Sequence, residues 1–260
     1  MLIRLSGIIG MTAVILVMVS PERWGLAVSL ILGNVFFAGF LVMCPRCMFL
    51  GDNIVRLPEP AIGRGEIALT FDDGPDVRVT PLVLELLDRF KVKASFFCIG
   101  EKAAAHPEIL AEIIKRGHSV ENHTYHHRNL FALYSSSALK KEIVSTQKTF
   151  SKNGIKARFF RAPMGFRSPF LDGVLRDCRL EHVAWTRRGF DTVWKRADAV
   201  FLRLSRNLSA GDVLMLHDGG SALTPEGQPV VVAVLPGLLE RCADLGLHGV
   251  SLPMAFREDA

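Results

Sequence analysis

The stretch Leu69-Thr70-Phe71-Asp72-Asp73-Gly74-Pro75 joins a predicted buried strand to two adjacent carboxylates. The apolar run at residues 67–69 is typical of a short buried strand, and Gly74 and Pro75 indicate a turn directly after the carboxylates. Carboxylates at the end of a buried strand are costly unless a cation or an arginine compensates their charge. A solvated turn would give the same pattern, so the function of this stretch depends on polar residues elsewhere.

Beyond this stretch, strand-length apolar segments alternate with helix-length amphipathic segments. Strands are predicted near residues 67–69, 94–99, 118–122, 158–161, 181–185, 212–216 and 247–252, and helices near 81–90, 101–116, 136–152, 168–178, 195–208 and 230–244. This alternation predicts a parallel sheet, either as a barrel or as an open doubly wound sheet. Thr80 is the predicted N-cap of the first of these helices. No glycine-rich nucleotide fingerprint follows the first strand, which disfavours a dinucleotide-binding domain.

Chemically reactive side chains recur where the predicted strands end. They are Asp72 and Asp73 after the first strand, His123 and His127 after the third, Arg161 at the fourth, Asp191 beyond the fifth and His217 at the sixth. In a barrel of parallel strands these ends open on one face, where active sites lie. Residues far apart in the sequence are therefore predicted to converge on one site.

Residues 121–127, Glu-Asn-His-Thr-Tyr-His-His, contain three imidazoles. His123 and His127 are expected to project from one face of a helical turn and to share a metal ion. One aspartate with two histidines leaves open positions on Zn²⁺ or a similar ion, as hydrolytic sites require. The second carboxylate of the Asp-Asp pair would then act as a base. His126 competes as a ligand, and spacing alone leaves that choice open.

Four segments in the same order resemble the polysaccharide deacetylase domain, also called the NodB homology domain or carbohydrate esterase family 4. They are Thr-Phe-Asp-Asp-Gly-Pro at 70–75, His-Thr-Tyr-His-His at 123–127, Arg-Ala-Pro-Met-Gly at 161–165 and Leu-Met-Leu-His-Asp at 214–218. The resemblance covers roughly residues 63–255. It implies an α/β fold, a distorted and incomplete (β/α) barrel of about seven parallel strands, in agreement with the strand count above.

The resemblance also implies a metal-dependent hydrolase that removes an N-acetyl or other N-acyl group from an amino sugar. Asp73, His123 and His127 would bind the divalent ion, with Zn²⁺ expected ahead of Co²⁺ or Mn²⁺. Asp72 would be the general base for the hydrolytic water. Arg161 would pair with Asp72 and keep that carboxylate ionised.

On the opposite side of the substrate, the resemblance implies that His217 is the general acid for the departing amine and that Asp191 holds its imidazolium form. The backbone N–H of Met164 would stabilise the oxyanion, with Pro163 and Trp185 beside the substrate. Two positions depart from the family pattern. A tyrosine is common where Met164 stands, and a tryptophan commonly follows the aspartate matched to Asp191, where this chain has a threonine.

Two apolar segments without charged residues, 5–19 and 24–43, precede this domain and flank the sequence Ser-Pro-Glu-Arg at 20–23. The second is long enough to span a bilayer and the first is marginal. The prediction is a transmembrane helical hairpin within residues 1–50, a linker at 51–64 and a catalytic domain at 65–260. A cleaved signal peptide is the main alternative for the first segment, although no small-x-small cleavage site follows it.

Charge and cysteine content bear on location and partners. Arginines 4, 46, 56 and 64 outnumber Arg23 in the hairpin loop, which favours a membrane-anchored domain on the cytoplasmic face, or on the other face if only one helix spans. Five cysteines without framework spacing agree with a reducing compartment, and Cys44 and Cys47 form only half of a zinc knuckle. The net charge of +5 suits membrane lipids or a phosphate-linked substrate. Scattered basic residues give no support for nucleic-acid binding.

The expected partners are an N-acetylated glycan or a lipid-linked amino sugar, together with membrane lipids. Three alternatives stay open on the sequence alone. The same site could cleave an O-acetyl ester, it could deformylate a lipid-linked sugar, or the domain could be a membrane-tethered carbohydrate-binding module without turnover.

Overall fold

A computed structural model describes residues 2–257 of the chain. The α-helices are α1 (Leu2–Val19), α2 (Trp24–Val42), α3 (Glu59–Gly63), α4 (Val79–Arg89), α5 (Gly100–Ala105), α6 (Pro107–Lys115), α7 (Ser136–Lys152), α8 (Leu171–Cys178), α9 (Ala197–Ser205), α10 (Val230–Asp244) and α11 (Leu252–Ala255). The strands are β1 (Glu66–Asp72), β2 (Ser95–Cys98), β3 (Ser119–Asn122), β4 (Phe159–Phe160), β5 (Glu181–His182), β6 (Arg187–Arg188), β7 (Val213–His217) and β8 (His248–Val250). Single 3-10 turns lie at Pro21–Arg23, Phe131–Leu133 and Pro163–Gly165.

All the strands belong to one parallel sheet in the order β5-β4-β3-β2-β1-β7-β6, with β8 paired to the start of β1. The two edge strands, β5 and β6, are joined by only residues 183–186. In a flat sheet they would lie about 29 Å apart, at about 4.8 Å per strand. The connection from His182 to Arg187 can span at most about 18 Å. The sheet therefore curls into an incomplete barrel, as predicted.

β1 is the central strand, and its alternating side chains separate two layers of the core. Leu69 and Phe71 pack with the surrounding helices, in a cluster that includes Val83 of α4 and Leu235 of α10. Ala68 packs inside the barrel. Asp72 comes four residues after Ala68 and so lies on the same face of β1. It is therefore directed to the barrel side at the end of the strand.

The register of the sheet aligns the strand ends. Asp72 of β1 pairs with His217 of β7, and Asn122 of β3 pairs with Cys98 of β2. Because paired residues in neighbouring strands lie about 5 Å apart, the loops that follow these strands start side by side. The alignment brings the predicted site residues to one face of the barrel.

Three local expectations are corrected by the structure. The predicted helix at 101–116 is two helices, α5 and α6, because Pro107 starts a new helix. Thr80 does not cap α4, which begins at Val79, and the Oδ1 atom of Asp76 accepts the N–H of Val79 instead. β6 adds an eighth strand to the predicted set of about seven.

The segment at 51–64, which the sequence predicts to be a linker, packs against the domain. Ile54 forms a parallel bridge with Val183, and the N–H of Leu57 donates to the carbonyl of Gly211 at 2.9 Å. Leu57 is buried in the inner cluster of the barrel. A Pro- and Gly-rich composition indicates irregular backbone here, but apolar side chains within it still fill the core.

α1 and α2 form an antiparallel hairpin, in which the Ser6 hydroxyl donates to the Asn34 side-chain oxygen at 3.1 Å. The spans at Leu2–Val19 and Pro21–Val42 have mean hydropathies of 2.3 and 2.2 and are long and apolar enough to cross a membrane. Most of their large apolar side chains are exposed. Both ends of the hairpin lie at the barrel. Leu2 lines a cavity together with Asp172 of α8, and the N–H of Arg167 donates to the carbonyl of Val42.

Candidate active site

A cavity of ≈ 190 Å³ lies at the C-terminal face of the barrel. The structure brings seven of the ten predicted site residues to its wall: Asp72, Asp73, His123, His127, Met164, Trp185 and His217. Arg161 and Asp191 are fully buried behind this wall, each bonded to a residue that lines it. Pro163 is buried and is not part of the wall, so its expected contact with substrate has no support in the geometry.

The predicted metal ligands converge at the bottom of this cavity. One ligand atom each from Asp73, His123 and His127 lies within 4.8 Å of the other two. The Asp73 Oδ1 atom is 3.3 Å from His123 Nε2 and 3.2 Å from His127 Nε2. One carboxylate oxygen and two imidazole nitrogens around a common point form a donor set suited to a divalent ion of the zinc type.

The protonation pattern of these residues also fits a cation. His123 Nδ1 lies 2.8 Å from the carbonyl oxygen of Arg161 and so carries the proton that it donates, which leaves Nε2 as the ring nitrogen that faces Asp73 and can bind a cation. Asp73 Oδ1 is buried and accepts no hydrogen bond within residues 2–257. Electron pairs that face one another in a buried site need a cation between them.

Two pKa shifts keep the ligand set in its metal-binding form. Burial, reinforced by His123, lowers the pKa of His127 to about 4, so His127 is neutral near pH 7. Burial alone would raise the pKa of Asp73, but the adjacent imidazole of His123, together with His127 and His217, holds this pKa below its usual range. Ligands that are already deprotonated release no protons on binding an ion.

The loop that carries the histidines is irregular, so the expected helical turn is wrong. Thr124 and His127 both have positive φ, at 62° and 50°. The Thr124 hydroxyl accepts the N–H of His127 at 3.1 Å, and the Thr124 N–H donates to the side chain of Asn122 at 3.0 Å. These local hydrogen bonds turn the chain sharply enough to bring both imidazoles to Asp73.

His126 is directed to a different partner, which answers the question that its spacing left open. Its Nδ1 atom lies 2.8 Å from Glu142 Oε1 on α7. The other oxygen of Glu142 accepts the backbone N–H groups of Tyr125 and His126, at 3.0 and 2.9 Å. Glu142 therefore holds the middle of the histidine loop, while the two ends of the loop place His123 and His127 beside Asp73.

Asp72 lies against the buried guanidinium of Arg161. The Nη1 atom of Arg161 donates to Asp72 Oδ1 at 2.6 Å and to the Thr70 hydroxyl at 2.8 Å. Nε and Nη2 donate to the carbonyls of Val183 and Ala184. Burial lowers the pKa of Arg161, and Asp72 counteracts that effect. Because a guanidinium in a protein stays protonated, a full positive charge faces Asp72.

His217 lines the same cavity and is held by Asp191. The His217 Nδ1–H donates to Asp191 Oδ1 at 2.9 Å, and the His217 backbone N–H donates to Asp191 Oδ2 at 2.8 Å. Burial would lower the pKa of His217, but Asp191, together with Asp72 and Asp73, raises it to about 9. With Nδ1 engaged by Asp191, the Nε2–H is the proton that His217 can deliver.

Met164 and Trp185 form the rim and one wall. Met164 has φ of 59° and a side chain 47% exposed, which places it at the mouth of the cavity. Gly165 follows with φ of 75°, and a Cβ there would lie 2.4 Å from the Trp185 ring and 3.0 Å from Pro45. Only glycine fits this approach of the rim to the segment that follows α2.

Sequence reasoning missed several residues around the site. Arg188 lines the cavity, and Lys102 Nζ donates to the backbone carbonyl of Asp73 at 2.7 Å. Asp218, next to His217, accepts the Thr80 hydroxyl at 2.6 Å, and burial raises its pKa to about 7. Asp218 belongs to the Leu-Met-Leu-His-Asp segment at 214–218. Arg188 and Lys102 lie outside the four motif segments and carried no comparable signal.

Comparison with known proteins supports this interpretation. Residues 61–183 match the family model described as polysaccharide deacetylase. A peptidoglycan-N-acetylglucosamine deacetylase of Bacillus cereus is 34% identical over 194 residues, covering 74% of this chain and 88% of the relative. A chitooligosaccharide deacetylase of Sinorhizobium fredii is 30% identical over 172 residues, covering 65% of this chain and 79% of the relative.

A solved structure shares the architecture as well. The crystal structure of a peptidoglycan N-acetylglucosamine deacetylase in complex with a naphthalenyl benzamide superposes with a TM-score of 0.70 at 27% identity, covering 80% of this chain and 94% of the other. Fold, motifs and sequence identity over most of a relative's length agree. The chain belongs to the polysaccharide deacetylase family and is a hydrolytic deacetylase.

Proposed function

We propose that this protein is a metal-dependent, membrane-anchored deacetylase that removes an N-acetyl group from an amino sugar in a membrane-proximal glycan or lipid-linked sugar. One observation carries the proposal. The Asp73, His123 and His127 cluster lines one cavity together with a carboxylate paired with Arg161 and a histidine paired with Asp191. This is the arrangement that amide hydrolysis by acid and base catalysis needs.

The base side consists of Asp72 and Arg161. A divalent ion in the adjacent site, for which we propose Zn²⁺, would polarise the acetyl carbonyl and lower the pKa of a water molecule. Asp72 takes the proton from the attacking water. Arg161 contacts one oxygen of Asp72, and no hydrogen bond within residues 2–257 engages the other, which stays available for that proton.

The acid side consists of His217 and Asp191. An amine is a poor leaving group until its nitrogen is protonated, so the C–N bond breaks as His217 delivers the proton from Nε2. Asp191 keeps His217 protonated at neutral pH and fixes the orientation of its ring. We assign the backbone N–H of Met164 to the oxyanion and the Trp185 ring to the acetyl group, from their positions at the cavity wall.

Membrane proximity is supported by the position of the cavity. Pro45, three residues beyond the end of α2 at Val42, packs against the rim glycine Gly165. If the hairpin spans a bilayer, the mouth of the site lies close to the headgroups. We propose that residues 1–50 anchor a catalytic domain at 65–260 on the cytoplasmic face. An activity reporter fused to the C-terminus would detect the opposite orientation.

The test is deacetylation by the detergent-solubilised full chain loaded with zinc. N-acetylated lipid-linked sugars and chito-oligomers are incubated with the protein, and released acetate is measured. Release of formate from N-formyl substrates alone would identify a deformylase. Release of acetate only from O-acetyl esters would identify an esterase.

Asp72→Asn separates catalysis from simple carbohydrate binding. The amide keeps the shape of the carboxylate but cannot accept the proton, so we expect kcat to fall by about 10²–10⁴-fold, the usual contribution of a general base. Zinc content and substrate affinity should stay close to those of the unaltered protein. Unchanged activity would exclude Asp72 as the base, and absence of turnover in both proteins with retained glycan binding would favour a non-catalytic module.

A further inference from the structure

A second and larger groove, of ≈ 850 Å³, adjoins the catalytic cavity and shares Trp185 and Arg188 with it. Its lining contains no acidic residue and five arginines: Arg46, Arg187, Arg188, Arg203 and Arg206. We call it the arginine groove. One of its walls is formed by Pro45 and Arg46, directly after α2.

Most of these arginines have no acidic partner inside the part of the chain that the structure describes. Arg187 is neutralised by Asp212, 2.6 Å away. Arg188, Arg203 and Arg206 form no ion pair with any acidic side chain in residues 2–257, and the buried Nε of Arg188 has no hydrogen-bond partner there. Like charges gathered without acids repel one another, so the groove is arranged to receive an anion.

The aromatic side chains of the groove hold two guanidinium groups in position. The Arg188 guanidinium lies 4.7 Å from the centre of the Phe190 ring, and that of Arg203 lies 4.6 Å from the same ring and 5.5 Å from Trp194. Arg203 Nε also donates to the backbone carbonyl of Arg188 at 3.1 Å. Stacked guanidinium groups lose little freedom on binding and offer forks of N–H donors that match phosphate oxygens.

The surface beside these arginines is apolar. Leu202 lines the groove and is 63% exposed, and Trp194 is 37% exposed. A charged groove with an apolar border, next to the end of an apolar hairpin, fits a ligand that is part anion and part lipid. A neutral glycan chain would use neither the charge nor the apolar border.

We propose that the arginine groove binds the phosphate of a lipid-carried amino sugar while the N-acyl group of that sugar reaches the catalytic cavity. The inference rests on the proposed deacetylase function and narrows its substrate to a phosphate-bearing glycolipid. Arg188, which lies at the junction of groove and cavity, faces the link between sugar and phosphate. Arg203 and Arg206 face the phosphate from the α9 side.

The test compares two synthetic probes that differ only in the phosphate: N-acetylglucosamine joined to a decyl chain through a phosphodiester, and decyl N-acetylglucosaminide. The double variant Arg203→Gln/Arg206→Gln removes two charges from the groove. The matched control, Arg89→Gln/Arg241→Gln, removes two exposed arginines from the last turns of α4 and α10. Those turns lie towards the opposite face, because helices in such units run antiparallel to the strands.

In the zinc-loaded full chain, we expect the groove variant to raise KM for the phosphodiester roughly tenfold or more, the usual effect of losing charge-assisted hydrogen bonds. The KM of the groove variant for the neutral glycoside should stay within about twofold of that of the unaltered protein. The control variant should show the same with both probes. An equal rise in KM for both probes, or no rise for either, would overturn the proposal.

Direct binding makes the groove testable independently of turnover. In the Asp72→Asn background, calorimetric titration should show the phosphodiester binding more tightly than the neutral probe, and the groove substitutions should abolish that difference. Inorganic phosphate, and phosphatidylglycerol in the detergent micelles, should compete only weakly. Competition by either at equal strength would identify a general anion or headgroup site and contradict a substrate site. Phosphodiester binding together with no acetate release by the unaltered zinc-loaded chain would reject the proposed function and leave the groove assignment standing.

Discussion

His217, which is buried, and His127, which is partly buried, lie beside the same cavity, yet they hold opposite charge states. Burial lowers the pKa of His127 to about 4, while Asp191 raises that of His217 to about 9. The difference arises because His217 donates to a carboxylate behind the cavity wall. The partly buried His127 is thereby suited to bind a cation, and the buried His217 is suited to deliver a proton.

The pH dependence of kcat/KM should report the charge of His217. A general acid acts only while protonated, so activity should persist up to about pH 9 and fall as the pH rises through the pKa of His217. In Asp191→Asn the main raising influence is lost, so that only Asp72 and Asp73 still oppose the lowering of this pKa by burial. The alkaline limb should therefore move down by at least about one pH unit.

Acetate release by zinc-loaded protein between pH 5 and about pH 10 measures this limb. Asp177→Asn, at an exposed aspartate paired with Lys140 on the surface, is the control and should leave the limb in place. An alkaline limb that stays near pH 9 in Asp191→Asn would show that another group sets it.

At the scale of elements, the histidine loop depends on α7. Glu142→Ala would remove the acceptor for the N–H groups of Tyr125 and His126. Because residues that orient metal ligands typically affect affinity 10–100-fold, we expect zinc affinity to fall about tenfold. Chelator competition measures the affinity, and circular dichroism should show an unchanged fold.

Glu240→Ala, at an exposed glutamate of α10, is the matched control for this change and should bind zinc normally. Equal zinc affinity in the Glu142 and Glu240 variants would mean that Thr124 and Asn122 position the histidines without help from α7.

The loops after β1 and β7 touch backbone to backbone. A Cβ on Gly219 would lie 2.0 Å from the carbonyl oxygen of Asp73, a distance that only backbone movement relieves. Gly219→Ala should therefore displace Asp73 and reduce both zinc occupancy and activity at least about tenfold. Gly173→Ala, in α8 with open space around it, should change neither. Full zinc occupancy with normal acetate release in Gly219→Ala would contradict this contact.

At the scale of the whole molecule, Arg167 ties the segment after the hairpin to the barrel. It is fully buried and donates to the carbonyls of Cys47 and Asp52, at 2.8 and 2.9 Å. Because hydrogen bonds from charged groups are worth roughly 1.5–3 kcal/mol each, Arg167→Met should lower the free energy of unfolding by about 3 kcal/mol.

Limited proteolysis between residues 44 and 52 measures this loosening. Arg196→Met, which breaks only an exposed pair with Asp198, should have little effect on cleavage or stability. Cleavage rates that match in the two variants would mean that the segment is held by other contacts.

The sequence allowed the barrel and most of the site to be predicted because their signals are local. Buried strands are apolar runs, and the carboxylates and histidines follow them directly. β6 escaped prediction because Arg187 and Arg188 have no apolar pattern and pair with β7 through backbone alone. The role of Glu142 depends on a contact between α7 and a loop 16 residues away, which no periodicity encodes.

The connection between β5 and β6 has a consequence for how this enzyme loses activity. Residues 183–186 form the seam where the curled sheet nearly meets itself, and two of the carbonyls in that seam hold the guanidinium that faces Asp72. Separation of β5 from β6 at this connection would move the guanidinium of Arg161 away from Asp72, which would then lose its counter-charge. Mild denaturation should therefore abolish the activity as soon as the barrel begins to open, at a lower denaturant concentration than the one that unfolds the helices.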